Sequence, residues 1–218
     1  MEKPSRKERE RKRRREYIID AAEDVISKVG FDNATMDEIA QKSEVAKGTL
    51  YLHFKSKAMV YLAVCERGSS KLNAELAKVI TENVTGLKMI ERLGHTYLKF
   101  VLANPHYFQA FNYYEGLMND QSTYSSELVT SCRENAQEAM RYIVRALQIG
   151  MQDQSIVDRY EPAELGAIIW GASKGIINMA FLNQKGVSHG PMKEAEFELE
   201  SLIENFIQLI SAALLKSK

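Results

Sequence analysis

Proline and glycine are scarce, at 4 and 12 of 218 residues, too few for a turn-rich β-sandwich or a disordered linker protein. Cysteine is scarcer still. Cys65 and Cys132 lie far apart with no CxxC, which excludes a disulfide framework and a zinc ribbon. A reduced, cytoplasmic chain is expected. No stretch approaches about 18 uninterrupted apolar residues, so no segment is expected to span a membrane. The basic N-terminus has no apolar stretch behind it and does not read as a secretory signal. The machinery of catalysis is also missing. The four histidines (His53, His95, His106, His189) show neither HExxH nor a di-iron Glu-x-x-His pair, and there is no GxSxG, P-loop or GxGxxG. Neither enzyme activity nor a cofactor or metal is expected.

What is present is an ordinary core-forming composition, 45% hydrophobic and 27% charged, with a formal net charge of zero. That zero hides an asymmetry. Residues 1–15 hold nine Lys/Arg against three Glu, a net of +6, so the remainder carries −6. A basic arm on a mildly acidic body suits a polyanionic partner reached by one end of the molecule. The pairs Glu8/Lys12 and Glu10/Arg14 have the favourable i,i+4 order, so the arm can extend the first helix once its charge is neutralised.

Apolar residues recur with helical period almost throughout, and no segment reads as a strand. Ile18, Ala22, Val25, Ile26 and Val29 form one stripe, with Gly30 as its stop. Val129, Cys132, Ala136, Ala139, Met140, Ile143 and Leu147 form another, with Gly150 as its expected end. Asn104-Pro105, Glu161-Pro162 and Gly190-Pro191 each read as a helix start, where the missing N–H costs nothing. The fold class is all-α, with about nine helices.

Thr35-Met36-Asp37-Glu38 is a capping box opening a short helix with Ile39 and Ala40 inward, which must stop near Ser43-Glu44. A second short helix, about Lys47 to His53, follows within a few residues. Two short helices so tightly joined after a longer one form a helix-turn-helix, whose second helix can enter the major groove of DNA. A non-specific basic-arm binder is the competing reading, and it gives Lys47 and Tyr51 no role.

The run from Thr35 to Lys57, closing on Gly48-Thr-Leu-Tyr-x-His-Phe-Lys-x-Lys57, resembles the DNA-binding segment of the TetR family of transcriptional regulators. The strong likeness covers about residues 14–65. Beyond it, Gly150-Met-Gln-Asp-Gln-Ser-Ile156 resembles the family's link into its last two helices. The resemblance implies a basic arm at 1–15, a three-helix helix-turn-helix domain at 16–60, and a ligand-binding and dimerisation domain at 61–218. It implies a ligand-responsive repressor that binds inverted-repeat, double-stranded operator DNA as a homodimer, is nucleoid-associated when bound, and is released by a small, largely apolar inducer. Thr35, Thr49, Tyr51, His53 and Lys57 are then phosphate and backbone anchors. Lys47 is the candidate for a guanine edge, Gly48 permits close approach and Leu52 can touch a thymine methyl. Two departures stand out. Glu44 occupies the turn position where the family usually has Gly, and Ala46 cannot cap the recognition helix as Ser would.

Residues 97–118 are dense in aromatics, and in TetR-like proteins the corresponding helices enclose the inducer. The resemblance therefore points to Tyr97, Phe100, Phe108, Phe111, Tyr114, Met118, Met140 and Trp170 as ligand contacts, with Lys174 and Asn178 as polar ones. Ala167, Gly171 and Gly175 form a ridge of small residues at i,i+4,i+8, open to close helix approach. The last helix, with Phe206, Ile210 and Ala213, is apolar on most of its circumference and needs two burial partners. These residues resemble the family's four-helix dimer interface.

Overall fold

The computed structural model describes residues 5–117, 126–184 and 198–216. Among them are nine helices and no strand: α1 (Arg6–Asn33), α2 (Met36–Lys42), α3 (Lys47–His53), α4 (Lys57–Ile80), α5 (Gly86–Ala103), α6 (Pro105–Leu117), α7 (Glu127–Gln152), α8 (Pro162–Gln184) and α9 (Leu199–Leu214). Pro105 and Pro162 open their helices as expected. Pro191 and Met118 lie outside the described residues.

The arm does not stand apart from the first helix. Ser5 caps α1, its Oγ accepting from the Glu8 amide at 3.2 Å while Glu8 accepts from the Ser5 amide at 2.7 Å. Glu8 is thereby engaged as a cap, and Arg6 pairs with Glu10 at 2.9 Å. Gly30 (φ 77°) breaks the helical path where the stop was expected, and one further turn follows. Val29, expected in the apolar stripe, is exposed; Ile19 and Ala21 are buried alongside Ile18, Ala22 and Ile26.

The chain packs as two compact units. The first takes the described residues up to Lys71 and those between Ala103 and Asn135. The second takes Leu72–Leu102 and those from Ala136 onward. These packing units leave 1–15 and 16–60 whole and divide only 61–218, because α4 and α7 each supply residues to both.

In the first unit, Val60, Tyr61, Leu62, Ala63, Val64 and Cys65 are six consecutive buried residues of α4. A helix buried on every side needs partners on every side. Tyr61 sits against Phe31 and meets the ring of Tyr113 edge-on at 4.9 Å. Cys65 hydrogen-bonds with Cys132, whose thiol also donates to the Leu62 carbonyl at 3.5 Å. Burial and that contact push the Cys65 thiol up. Arg67, further along α4, binds three carboxylates of α1: Glu16 at 2.7 Å, Asp20 at 2.5 Å and Glu23 at 3.2 Å. The Tyr107 hydroxyl of α6 donates to Glu23 at 2.9 Å and accepts from Lys71 at 2.5 Å. Gly68 makes room for this, since a Cβ there would lie 2.5 to 2.9 Å from Tyr107 ring and Cβ atoms.

In the second unit, α5 crosses α7 at two glycines. A Cβ on Gly86 would fall 2.0 Å from the Gly150 nitrogen, and one on Gly150 would strike Ile156. The expectation that Gly150 ends its helix is therefore corrected. α7 runs on to Gln152, and Gly150 is small because the Ile156 side chain fills the space its Cβ would take. Ala136, placed in the same stripe, is exposed. Beyond α7, Asp153 accepts from the Gly86 amide at 2.8 Å and Ser155 Oγ from the Leu87 amide at 3.1 Å, so this turn caps α5. Ile156 then bridges to Leu215 beyond α9.

Pro162–Leu182 is long and apolar enough, by length and composition, to cross a bilayer. Glu164 and Lys174 interrupt the run without lowering its average far enough. Within the unit α8 packs on α9, burying Leu165, Ile177 and Ala180 while Ile168, Met179 and Leu182 stay exposed.

Candidate functional site

The helix-turn-helix forms where its local chemistry dictates. Thr35 Oγ1 accepts from the Glu38 amide at 3.2 Å, and Glu38 accepts from the Thr35 amide and hydroxyl at 2.8 Å each. These bonds hold the Glu38 carboxyl below its usual range. Ile39 and Ala40 are buried as expected, and Ser43 closes α2 by donating its hydroxyl to the Ile39 carbonyl at 2.6 Å. Glu44 then adopts φ 52°, the left-handed conformation that makes glycine common there. Ala46 opens α3 with no side-chain cap.

α3 buries only Leu50 of its seven residues. Lys47, Gly48, Tyr51 and Leu52 are exposed, Leu52 by 71%, while Thr49 and His53 are half-buried. Nothing lies within 4 Å of where a Gly48 Cβ would stand, so the protein itself does not require glycine there. Phe54 is buried, with the Arg15 guanidinium 5.4 Å over its ring. Burial lowers the His53 pKa, and Arg11, Arg14 and Arg15 lower it further. Two lysines have partners that the sequence did not reveal. Lys47 pairs with Asp37 of α2 at 2.6 Å. Lys57 donates to the Asp32 carbonyl at 2.9 Å and lies 4.7 Å over Phe31. Asp37 and Asp32 carried no functional pattern of their own, and the arginines were legible only as part of the basic arm; the fold brings them to the site.

The second unit holds an apolar cavity of about 60 Å³, partly open to solvent. It is lined by Leu76, Ile90, Leu93, Gly94, Tyr97, Ile143, Ile169, Trp170, Ser173, Ile203, Phe206, Ile207 and Ile210. Tyr97 and Trp170 stack across it with ring centroids 5.7 Å apart. The Ser173 hydroxyl is turned back to the carbonyls of Ile169 and Trp170, and among the described residues no charged group lines this space. The structure thus brings two of the expected ligand residues together, Tyr97 and Trp170. Phe100, Met140, Lys174 and Asn178 do not line the cavity, and Phe108, Phe111 and Tyr114 belong to the first unit. The reason is the break at Asn104-Pro105, which divides the aromatic stretch between two helices of different units. Phe206 and Ile210, expected at a subunit interface, line the cavity.

Residues 18–64 match the family model of bacterial regulatory proteins, tetR family. Over this segment the chain is similar to the TetR family. It is 28% identical over 93 residues to the uncharacterized helix-turn-helix regulator YobS of Bacillus subtilis, covering 43% of this chain and 48% of that protein. It is 31% identical over 91 residues to the transcriptional activator FasR of Mycolicibacterium smegmatis, covering 42% of each. The chain thus spans about half the length, or less, of these curated relatives. The solved structure of FadR from Bacillus subtilis, in complex with stearoyl-CoA, aligns with a TM-score of 0.67 at 18% identity, over 91% of this chain and 98% of that one. At that identity the likeness speaks for the fold. Relatives of this family are transcriptional regulators, which are not enzymes.

Within this TetR-family fold, Ala167, Gly171 and Gly175 are all exposed on α8, and a Cβ at either glycine would meet nothing within 4 Å. Ala213 and, by 70%, Leu209 are exposed on α9. Small and apolar residues at helical spacing, open to solvent on adjacent helices, make a surface that water covers at a cost.

Proposed function

We propose that the chain is a sequence-specific, DNA-binding transcriptional regulator, a ligand-responsive repressor that binds an inverted repeat as a dimer. In this reading residues 1–15 are the arm, 16–60 the DNA-binding domain and 61–218 the ligand-binding and dimerisation domain, all working in the cytoplasm on the nucleoid. The observation that carries it is α3, a helix with one buried residue and a glycine that nothing in the protein demands. Such a helix is built to be presented. Lys47 reads a base edge, Leu52 meets a thymine methyl, and Thr49, Tyr51 and His53 hold the backbone, with Lys57 and the start of α2 at neighbouring phosphates. Lys57 gives up the Asp32 carbonyl to do so.

The inducer is small and mostly hydrocarbon, since the cavity offers it no charged partner. A long acyl chain fits that chemistry, and a structural neighbour was solved with stearoyl-CoA. Trp170 and Tyr97 grip it. The exposed faces of α8 and α9 join two chains, Gly171 and Gly175 letting the helices close up.

Selection of bound duplexes from a random pool tests this. The expected product is a short inverted repeat, because a two-fold dimer sets both recognition helices into successive major grooves about 34–36 Å apart. Recovery of asymmetric or sequence-neutral DNA would overturn the proposal in favour of a non-specific basic-arm binder.

A further inference from the structure

Lys47 does not wait for DNA with its charge unopposed. Its Nζ lies 2.6 Å from one carboxylate oxygen of Asp37 and 2.9 Å from the other. The pair joins the first turn of α2 to the first residue of α3, and both side chains are more than half exposed, at 59% and 66%. It raises the Lys47 pKa.

Asp37 lies in the first turn of α2, where any acidic residue favours the helix, but it makes no cap bond. The capping of α2 is already complete through Thr35 and Glu38. An ion pair this open to water contributes little to stability. On a surface that meets phosphates, a carboxylate also repels the partner. Its presence calls for a role in recognition, and the geometry supplies one. An unrestrained lysine is a point charge on a flexible stem with three rotatable donors, free to settle on any phosphate or base acceptor. Held on both Asp37 oxygens, the ammonium keeps its remaining donor in a narrow range of directions, and its net attraction for phosphate falls.

We propose that Asp37 is a specificity-determining residue: by holding Lys47, it directs that side chain to a base edge and away from the backbone. This rests on the reading of α3 as a groove-entering helix. Asp37 acts through Lys47 and is a positioning residue. It lowers affinity for random DNA and sharpens the choice of one base pair in each half-site.

The test uses the full chain as wild type, D37N, K47A and the double variant, with D37S as a second substitution that must agree with D37N. The probes are the inverted repeat recovered by wild-type selection, its single-position variants, and a random duplex across a salt series. D37N is expected to relax preference at the position K47A relaxes, by roughly three- to tenfold. It should also tighten binding to the random duplex and steepen the log–log salt slope by up to about 0.9 per head, as the released ammonium neutralises a phosphate. In the K47A background, D37N should leave base preference unchanged. Preference intact in D37N but relaxed in K47A overturns the inference alone, as does equal relaxation by D37N with and without Lys47. A wild-type protein that selects no sequence overturns the underlying reading with it.

Discussion

Glu44 is a single residue in a conformation its side chain disfavours. At φ 52° the cost is about 1–2 kcal/mol relative to a right-handed residue, partly offset in Gly by its freer unfolded chain. Glu44→Gly should therefore raise stability by about 0.5–1 kcal/mol, read from urea unfolding, and leave DNA preference unchanged. His53 gives a pH dependence. Its folded pKa lies below the usual histidine value because of burial, then Arg11, Arg14 and Arg15. The folded state thus binds fewer protons than the unfolded one, and its contribution to stability, full above about pH 6.5, is lost as pH falls through the lowered value. DNA reverses part of this. Phosphates that neutralise the arginines raise the His53 pKa, so binding takes up protons. Affinity for operator should rise as pH falls through that window, and His53→Gln should flatten the profile; an unchanged profile in the variant removes His53 from the interface.

At the scale of the element, α1 makes the arm part of a helix. Nine basic residues lie in 1–15, and the helix carrying those from Arg6 onward is capped at Ser5. Deleting residues 1–13 should lower affinity and flatten its salt dependence, each lost phosphate contact removing about 0.9 from the log–log slope, while base preference holds. An unchanged slope returns the arm to a solvated helix. Elements whose ends are fixed by neighbours in sequence were legible. The Thr35–Glu38 box, the Gly30 stop, the bounds of α3 and the Pro105 and Pro162 starts all rest on contacts within a few residues. The end of α7 was not, because Gly150 is small to admit the Ile156 side chain, a packing need that looks like a helix stop in the sequence. The start of α1 was missed because Ser5 and Glu8 sit among charges that drew the eye to i,i+4 pairs. The Lys47–Asp37 pair escaped because a ten-residue separation across a turn leaves no period to read. The aromatic stretch misled for the opposite reason: a local density of rings says nothing about which side of a helix break each ring falls on.

For the whole molecule, dimerisation and ligand response are the properties to measure. A leucine at Gly171 adds a side chain where the proposed partner helix must close up, while the lone chain has open space for it. Gly171→Leu should therefore dissociate the dimer without lowering the stability of the subunit, as seen by sedimentation and thermal unfolding. An intact dimer at micromolar concentration places the interface elsewhere. Ligand entry beside Trp170 should change its fluorescence, a clean signal because it is the chain's one tryptophan. A ligand that loosens the operator complex tenfold must prefer the released state by about 1.4 kcal/mol, and operator must weaken that ligand by the same factor. Titration of fatty acids, aromatic compounds and cationic drugs with and without operator reads both sides of this linkage. Equal binding in the two conditions marks a compound that is not an inducer.

The six buried residues from Val60 to Cys65 bear on how such a protein can change over generations. Their cover comes from α6 and α7 as well as from α1, since Tyr61 meets Tyr113 and Cys65 meets Cys132. A gene exchange with one crossover near codon 60 would hand a new head to an old body and leave that cover mismatched. A viable swap must carry two separate stretches of coding sequence, the opening one and the one encoding residues 103–135. Ancestry inferred from the head alone should therefore agree with ancestry inferred from 103–135, and is free to disagree with that of the cavity-lining helices.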